Sequence, residues 1–191
     1  MEFHYKYTLT PDEFANFQAY TGWHAPWSKS LRTKFIIKTS FYAVLMMSAT
    51  LIVLRKIKGH DKDIFLRLPI LILIGAIIFV FFSYLTAPSR IRADAKKILG
   101  KEENNHLLNE RSIILSDNGI ETTGATFHST LKWESITRYA NTKDYFYLYL
   151  NSMQGYVIPK RIISPKSEIE QLDKFLTEKI PLESSFRSLG I

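Results

Sequence analysis

The chain has 191 residues, 46% of them hydrophobic and 23% charged, and no cysteine, which excludes a disulfide framework, cysteine-type zinc and iron–sulfur sites and a thiol nucleophile. Its net charge of +7 is local: residues 1–28 carry −2, residues 29–111 carry +9, and the remainder is neutral. A nucleic-acid module displays Lys and Arg among exposed aromatics on a folded domain; here they flank apolar runs, the topology signal of a membrane protein, and nucleic acid is not an expected partner.

Phe3 to Thr8 alternates as a strand does, and Thr10-Pro11-Asp12-Glu13 has the form of a capping box with proline at the first helical position. A short helix to about Tyr20 follows, with Phe14, Phe17 and Thr21 on one stripe and Gly22 at its end. Trp23, Pro26 and Trp27 then precede the basic run, as aromatics do in an interfacial belt. This segment, residues 1–28, reads as an interfacial helix or as a helix packed on the C-terminal domain; the pattern fits both.

Residues 29–110 form the second region. Phe35–Leu54 is apolar except for Lys38, Thr39, Ser40, Ser48 and Thr50, and Leu68–Ala87 contains no charge. At 1.5 Å per residue each covers about 30 Å, the thickness of a hydrocarbon core, which predicts a two-span transmembrane hairpin. Lys38 lies in the first turn, where its stem reaches the interface. Nine basic residues flank the spans on one side (Lys29, Arg32, Lys34 and Lys38, the last counted although it lies in the first turn of the span, and Arg90, Arg92, Lys96, Lys97 and Lys101), against five in the connecting loop. The positive-inside rule therefore puts both termini in the cytoplasm and His60 outside. Thr86-Ala87-Pro88 predicts a kink or boundary, beyond which Ile91, Ala95, Ile98 and Leu99 oppose Arg90, Arg92, Lys96 and Lys97 on a basic amphipathic helix suited to anionic headgroups. Small residues at similar depth, Ser48-Ala49 and Gly75-Ala76, predict close packing of the hairpin and association between copies; the alternative is that they face lipid.

Residues 111–182 change to strand periodicity. A hairpin turns at Asp117-Asn118-Gly119, and strands follow at Thr126–Trp133, Ile136–Asn141, Tyr145–Asn151 and Gly155–Pro159. Phe146, Leu148 and Leu150 share one face, and Tyr145, Tyr147 and Tyr149 the other, which is half exposed or covered by another element. Ser164-Pro165 is expected to cap a final helix with Ile169, Leu172, Phe175, Leu176 and Ile180 on its apolar stripe. Residues 183–191 are a tail. The fold class is thus α+β: a helical hairpin plus a small antiparallel β domain closed by one helix.

Tyr7-Thr8-Leu9-Thr10 with Asp12, the turn Ser116-Asp117-Asn118-Gly119-Ile120, Trp133-Glu134-Ser135-Ile136 and Ile158-Pro159-Lys160-Arg161 occur in an order that resembles the YcxB-like family of small bacterial membrane proteins. The resemblance implies a bacterial plasma-membrane location, a two-span hairpin and a C-terminal domain of pleckstrin-homology-like pattern; it supplies no reaction, cofactor or catalytic residue.

No phosphate-binding glycine loop, H-E-x-x-H or G-x-S-x-G occurs, and His4, His24, His60, His106 and His128 are scattered without metal-ligand spacing. No catalytic, cofactor or metal residue is expected. Trp133 reads as a core aromatic packed against the final helix. Arg90, Arg92, Lys96, Lys97, Lys160 and Arg161 are the candidate contacts for anionic lipid or an acidic partner, with a solvated strand end as the plainer reading of Lys160 and Arg161. The expected function is a non-enzymatic, membrane-anchored binding or scaffold module. Its partners would be the bilayer, anionic headgroups, an unidentified protein and further copies of itself. The competing reading is a membrane-associated enzyme or a subunit of a transport system.

Overall fold

The computed structural model describes residues 1–56, 62–101, 104 and 107–180. The chain divides into two compact units, one made of residues 1–22 together with residues from 91 onward, the other of Trp23–Arg90. The boundaries between these units fall after Gly22 and after Arg90.

Among the described residues the first unit contains seven strands. β1 (Phe3–Tyr7), β2 (Arg111–Ser116), β3 (Gly119–Gly124) and β4 (His128–Leu131) form an antiparallel sheet in that order. β5 (Arg138–Asn141), β6 (Tyr145–Tyr149) and β7 (Gly155–Pro159) form a second antiparallel sheet. The N-terminal strand is therefore part of this domain: Phe3 stands opposite Leu115 and Tyr7 opposite Arg111. Helix α1 (Pro11–Ala19) follows β1 and runs into a wider turn over Tyr20–His24. Its start is the expected capping box, with Glu13 N–H donating to Thr10 Oγ1 at 3.2 Å and Thr10 N–H donating to Glu13 Oε2 at 2.8 Å.

Alternation sets the core. Ile113 and Leu115 of β2, Ile120 of β3, Phe146 and Leu148 of β6 and Ile158 of β7 are inaccessible to solvent. Over them lies the final helix α4 (Ser167–Lys179), which buries Leu172, Phe175 and Leu176. Trp133 takes its expected place: its ring meets that of Phe175 edge-on at 5.6 Å, and Nε1–H donates to Ser116 O at 2.9 Å. Two tyrosines lock the layers, Tyr7 donating to Val157 O at 2.6 Å and Tyr5 to Glu168 Oε1 at 2.7 Å.

The tyrosine face of β6 is covered, and what covers it is α1. Phe17 packs at 5.3 Å from Tyr147 and 5.6 Å from Tyr149, Tyr20 at 5.2 Å from Tyr147, and Thr21 Oγ1 lies 2.9 Å from the Tyr149 hydroxyl. Of the two placements open for the N-terminal helix, this is packing on the β domain. Other details depart from the sequence pattern. β4 ends at Leu131 because Trp133–Ser135 forms a helical turn. β6 ends at Tyr149, and the Asn151 carboxamide accepts from Met153 N–H and Gln154 N–H to close the turn, which consumes it as a strand residue. Lys166 occupies the N-cap of α4 and no side chain caps it, so the expected Ser164-Pro165 cap is not formed.

The second unit consists of α2 (Lys29–Lys56) and most of α3 (Lys62–Leu99). Of the kink or boundary expected at Pro88, the boundary is absent: α3 runs through it for 38 residues, since one lost backbone bond costs less than unwinding the helix on either side. Trp23 anchors the unit, its ring 5.2 Å from Phe35 and 5.1 Å from Tyr84. The Arg32 guanidinium and the Ser28 hydroxyl both donate to its carbonyl. Among the described residues one helical stretch, Pro69–Leu99, is long and apolar enough to cross a membrane. The close packing expected at Ser48-Ala49 and Gly75-Ala76 is not formed within the chain. Ser48 and Ala49 are exposed, and a Cβ placed at Gly75 would meet no atom within 4 Å. Ala43 and Ala87 are instead buried.

Gly119 is the glycine whose backbone demands it. Its φ is +143°, and a Cβ there would lie 2.2 Å from Leu131 O. Gly119→Ala should therefore destabilise the β domain by about 3 kcal/mol, through strain and collision together. A urea titration followed by Trp133 emission checks this, with an unchanged midpoint as the contrary result.

Candidate functional site

The candidate cations fall into two groups. Lys160 and Arg161 lie in the short helical turn that follows β7. The half-buried Lys160 ammonium donates to Asn141 Oδ1 at 2.7 Å and to Thr142 O, and it sits 4.7 Å from the Phe146 ring centroid. Burial lowers its pKa, opposed by Asp173 and Asp144. Arg161 grips Glu13 with two parallel bonds, Nε to Oε1 at 2.6 Å and Nη2 to Oε2 at 2.9 Å, and adds Nη2 to Thr8 O at 2.9 Å. Neither residue is a simple solvated strand end. Each spends its charge inside the domain, and Arg161 ties the start of α1 to the end of β7.

Arg90, Arg92, Lys96 and Lys97 follow one another along α3. The expected apolar face forms in part, with Ala95 and Leu99 buried and Ile91 half-buried but Ile98 exposed alongside Arg90, Arg92, Lys96 and Lys97. Lys96 is drawn to Asp12 at 2.5 Å, and Lys97 lies 3.6 Å from Asp94 on its own helix. Arg90 and Arg92 make no ion pair among the described residues, unlike Lys96, Lys97 and Arg161 of the same candidate set.

Asp117, which reads as a turn former, has a second role. Its Oδ2 accepts from the Met1 ammonium and its Oδ1 from Lys179, each at 2.6 Å, so the β2–β3 turn meets both the chain start and the end of α4. Bonds from Lys179 and from the amino terminus hold its carboxyl down to about 2. The sequence gives no spacing signal for this triad, nor for the partnership of Glu13 and Arg161, because the partners are 148 positions apart in the second case. His4 pairs with Glu2 at 3.1 Å, and His128 contacts Thr123 Oγ1 at 3.0 Å. His60 and His106 lie outside the described residues. Among the described residues no three His, Asp or Glu side chains converge at metal-binding distance.

Glu13 is 6% exposed. Burial alone raises a carboxyl pKa, but the Arg161 guanidinium and the Thr10 N–H bring this one below its ordinary 4.5. Its contribution to stability is therefore complete above the unfolded pKa and disappears as pH falls through the lower folded value. Unfolding of wild type should lose stability from about pH 5 downward more steeply than Glu13→Gln. Arg161→Gln, which strands a buried carboxylate, should cost about 2 kcal/mol at neutral pH. Urea midpoints across pH measure both; parallel profiles for wild type and Glu13→Gln would remove the ion pair as a determinant.

A family model described as YcxB-like protein matches residues 115–176, from the end of β2 to the last turns of α4, and includes three of the four motifs that suggested the resemblance; Tyr7–Asp12 lies outside it. No curated protein and no solved structure matches the chain. Over residues 115–176, about a third of its length, the chain is thus similar to the YcxB-like family.

Proposed function

We propose that the protein is a membrane-anchored, non-enzymatic binding or scaffold module, in which a pleckstrin-homology-like domain is held at the cytoplasmic face of the bacterial plasma membrane by a two-span hairpin. One observation carries the reading: the apolar helices are inserted within the β domain, between β1 and β2, so the domain's own chain leads into the helices and back. Four strands, then three, closed by one C-terminal helix support the pleckstrin-homology-like part. The spanning character of Pro69–Leu99 supports the anchor, and the exposed apolar side chains of α2, among them Ile37, Val44 and Leu45, favour a second span beside it.

The cytoplasmic orientation rests on the nine-to-five distribution of basic residues. Arg90 and Arg92, followed by Lys97, are the residues of this reading that meet anionic headgroups or an acidic protein segment, each cation near the surface adding about 1 kcal/mol. Lys160 and Arg161 belong to the domain's internal bonding and are secondary candidates.

The chain should float with vesicles after alkaline carbonate washing. In intact cells, a cysteine at His60 should react with an impermeant maleimide, and a cysteine at Ser152 only after lysis. Reaction at Ser152 without reaction at His60 inverts the orientation. Release by carbonate removes the anchor, and substrate turnover abolished by a single substitution replaces the scaffold reading with an enzymatic one.

A further inference from the structure

Between α2 and α3 lies a cavity of about 410 Å³, a volume typical of ligand sites. Tyr42, Met46 and Thr50 line it from α2, and Ile72, Gly75 and Phe79 from α3. The α2 residues recur every four positions and so form one ridge. The next position of that ridge toward the N-terminus is Lys38, an exposed side chain whose Nζ lies 6.0 Å from the Tyr42 ring centroid.

Three features specify what fits. The Thr50 hydroxyl is spent on Met46 O at 2.9 Å, and the surrounding wall is chiefly alkyl, thioether and ring surface. Gly75 leaves open space where any other residue would place a side chain, since a Cβ there meets nothing within 4 Å. At one end of this apolar groove stands a single ammonium with no acidic partner among the described residues. The occupant thus needs a hydrocarbon body and an anionic end. A helix from a second copy matches this poorly, because Phe35–Leu54 and Leu68–Ala87 contain no Asp or Glu to meet Lys38.

We propose that the groove holds one acyl chain of an anionic phospholipid, with the lipid phosphate at the Lys38 ammonium. The site rests on the membrane reading given above. Lys38 reaches the headgroup level along its own aliphatic stem. The groove below it then takes the chain by dispersion contacts, which replace the hydrophobic drive that is missing within lipid.

The full chain reconstituted in phosphatidylcholine vesicles containing a minor fraction of phosphatidylglycerol, then extracted into mild detergent, tests this by native mass spectrometry of retained lipid. Wild type should keep phosphatidylglycerol in preference to phosphatidylcholine. Gly75→Leu, whose side chain enters the open space, should retain little of either. Lys38→Gln, a change at an exposed side chain, should keep lipid but lose the headgroup preference by about fivefold. Equal retention of the two lipids by wild type overturns the site, as does an undiminished preference in Lys38→Gln. A dimer that Gly75→Leu converts to monomer with lipid unchanged gives the groove to a second copy. A chain that fails to float with the vesicles overturns the membrane reading as well, whereas flotation with unselective lipid overturns only the site.

Discussion

Five residues near the amino terminus complete a sheet whose next strand begins at Arg111, and the remaining architecture depends on that pairing. Without β1, the row of hydrogen-bonding groups along β2 would be an open edge, and Phe3, Tyr5 and Tyr7 would have no core to enter. Closing so long a connection costs less than its length suggests. The entropy of closure rises by only about 0.6 kcal/mol per doubling of the loop, and most of this connection is itself helical. Against that cost stand the β1–β2 ladder, the hydroxyl bonds of Tyr5 and Tyr7, and the bidentate grip of Arg161 on Glu13. The segment from Met1 to Gly22 is thereby a structural part of the β domain.

What could be read from the chain in advance was what depends on neighbours in sequence. The capping box at Thr10, the turn at Asp117-Asn118, the alternation of β6 and the apolar stripe of α4 are all short-range patterns, and all appear in the structure. What was not legible required knowing which distant elements meet. The fate of the β6 tyrosines depended on α1, and that of Arg161 on Glu13. Gly75 shows the same limit within the helices: a small residue permits close approach, but the partner helix decides whether approach happens, and here it leaves a cavity.

Charge follows a similar division. A pI near 9.5 describes the whole chain, yet several cations of the β domain are internal fasteners: Arg161 on Glu13, Lys160 on Asn141, Lys179 on Asp117, Lys96 on Asp12. The exposed pairs contribute little each, since solvent screens them; the Glu13 contact differs because its carboxylate is buried. The candidate list drawn from sequence thus mixed two kinds of residue that composition cannot separate. Arg161 is constrained by a carboxylate on another element, and Arg92 is exposed on its helix without an ion pair among the described residues.

The place of the insertion also orders the events of folding. During synthesis the N-terminal residues emerge first, but β1 has no partner until Arg111–Leu115 has been made, which is after both helices. Local contacts form sooner than distant ones, so the helices, rich in i to i+4 bonds, can form while β1 is still unpaired. The β domain then closes as a late, non-local step, with α1 settling on the tyrosine face of β6 only once β6 exists. A chain arranged in this order commits its apolar helices before its folded domain is complete, so those helices meet their surroundings first and the β domain assembles afterward around the chain segments that flank them.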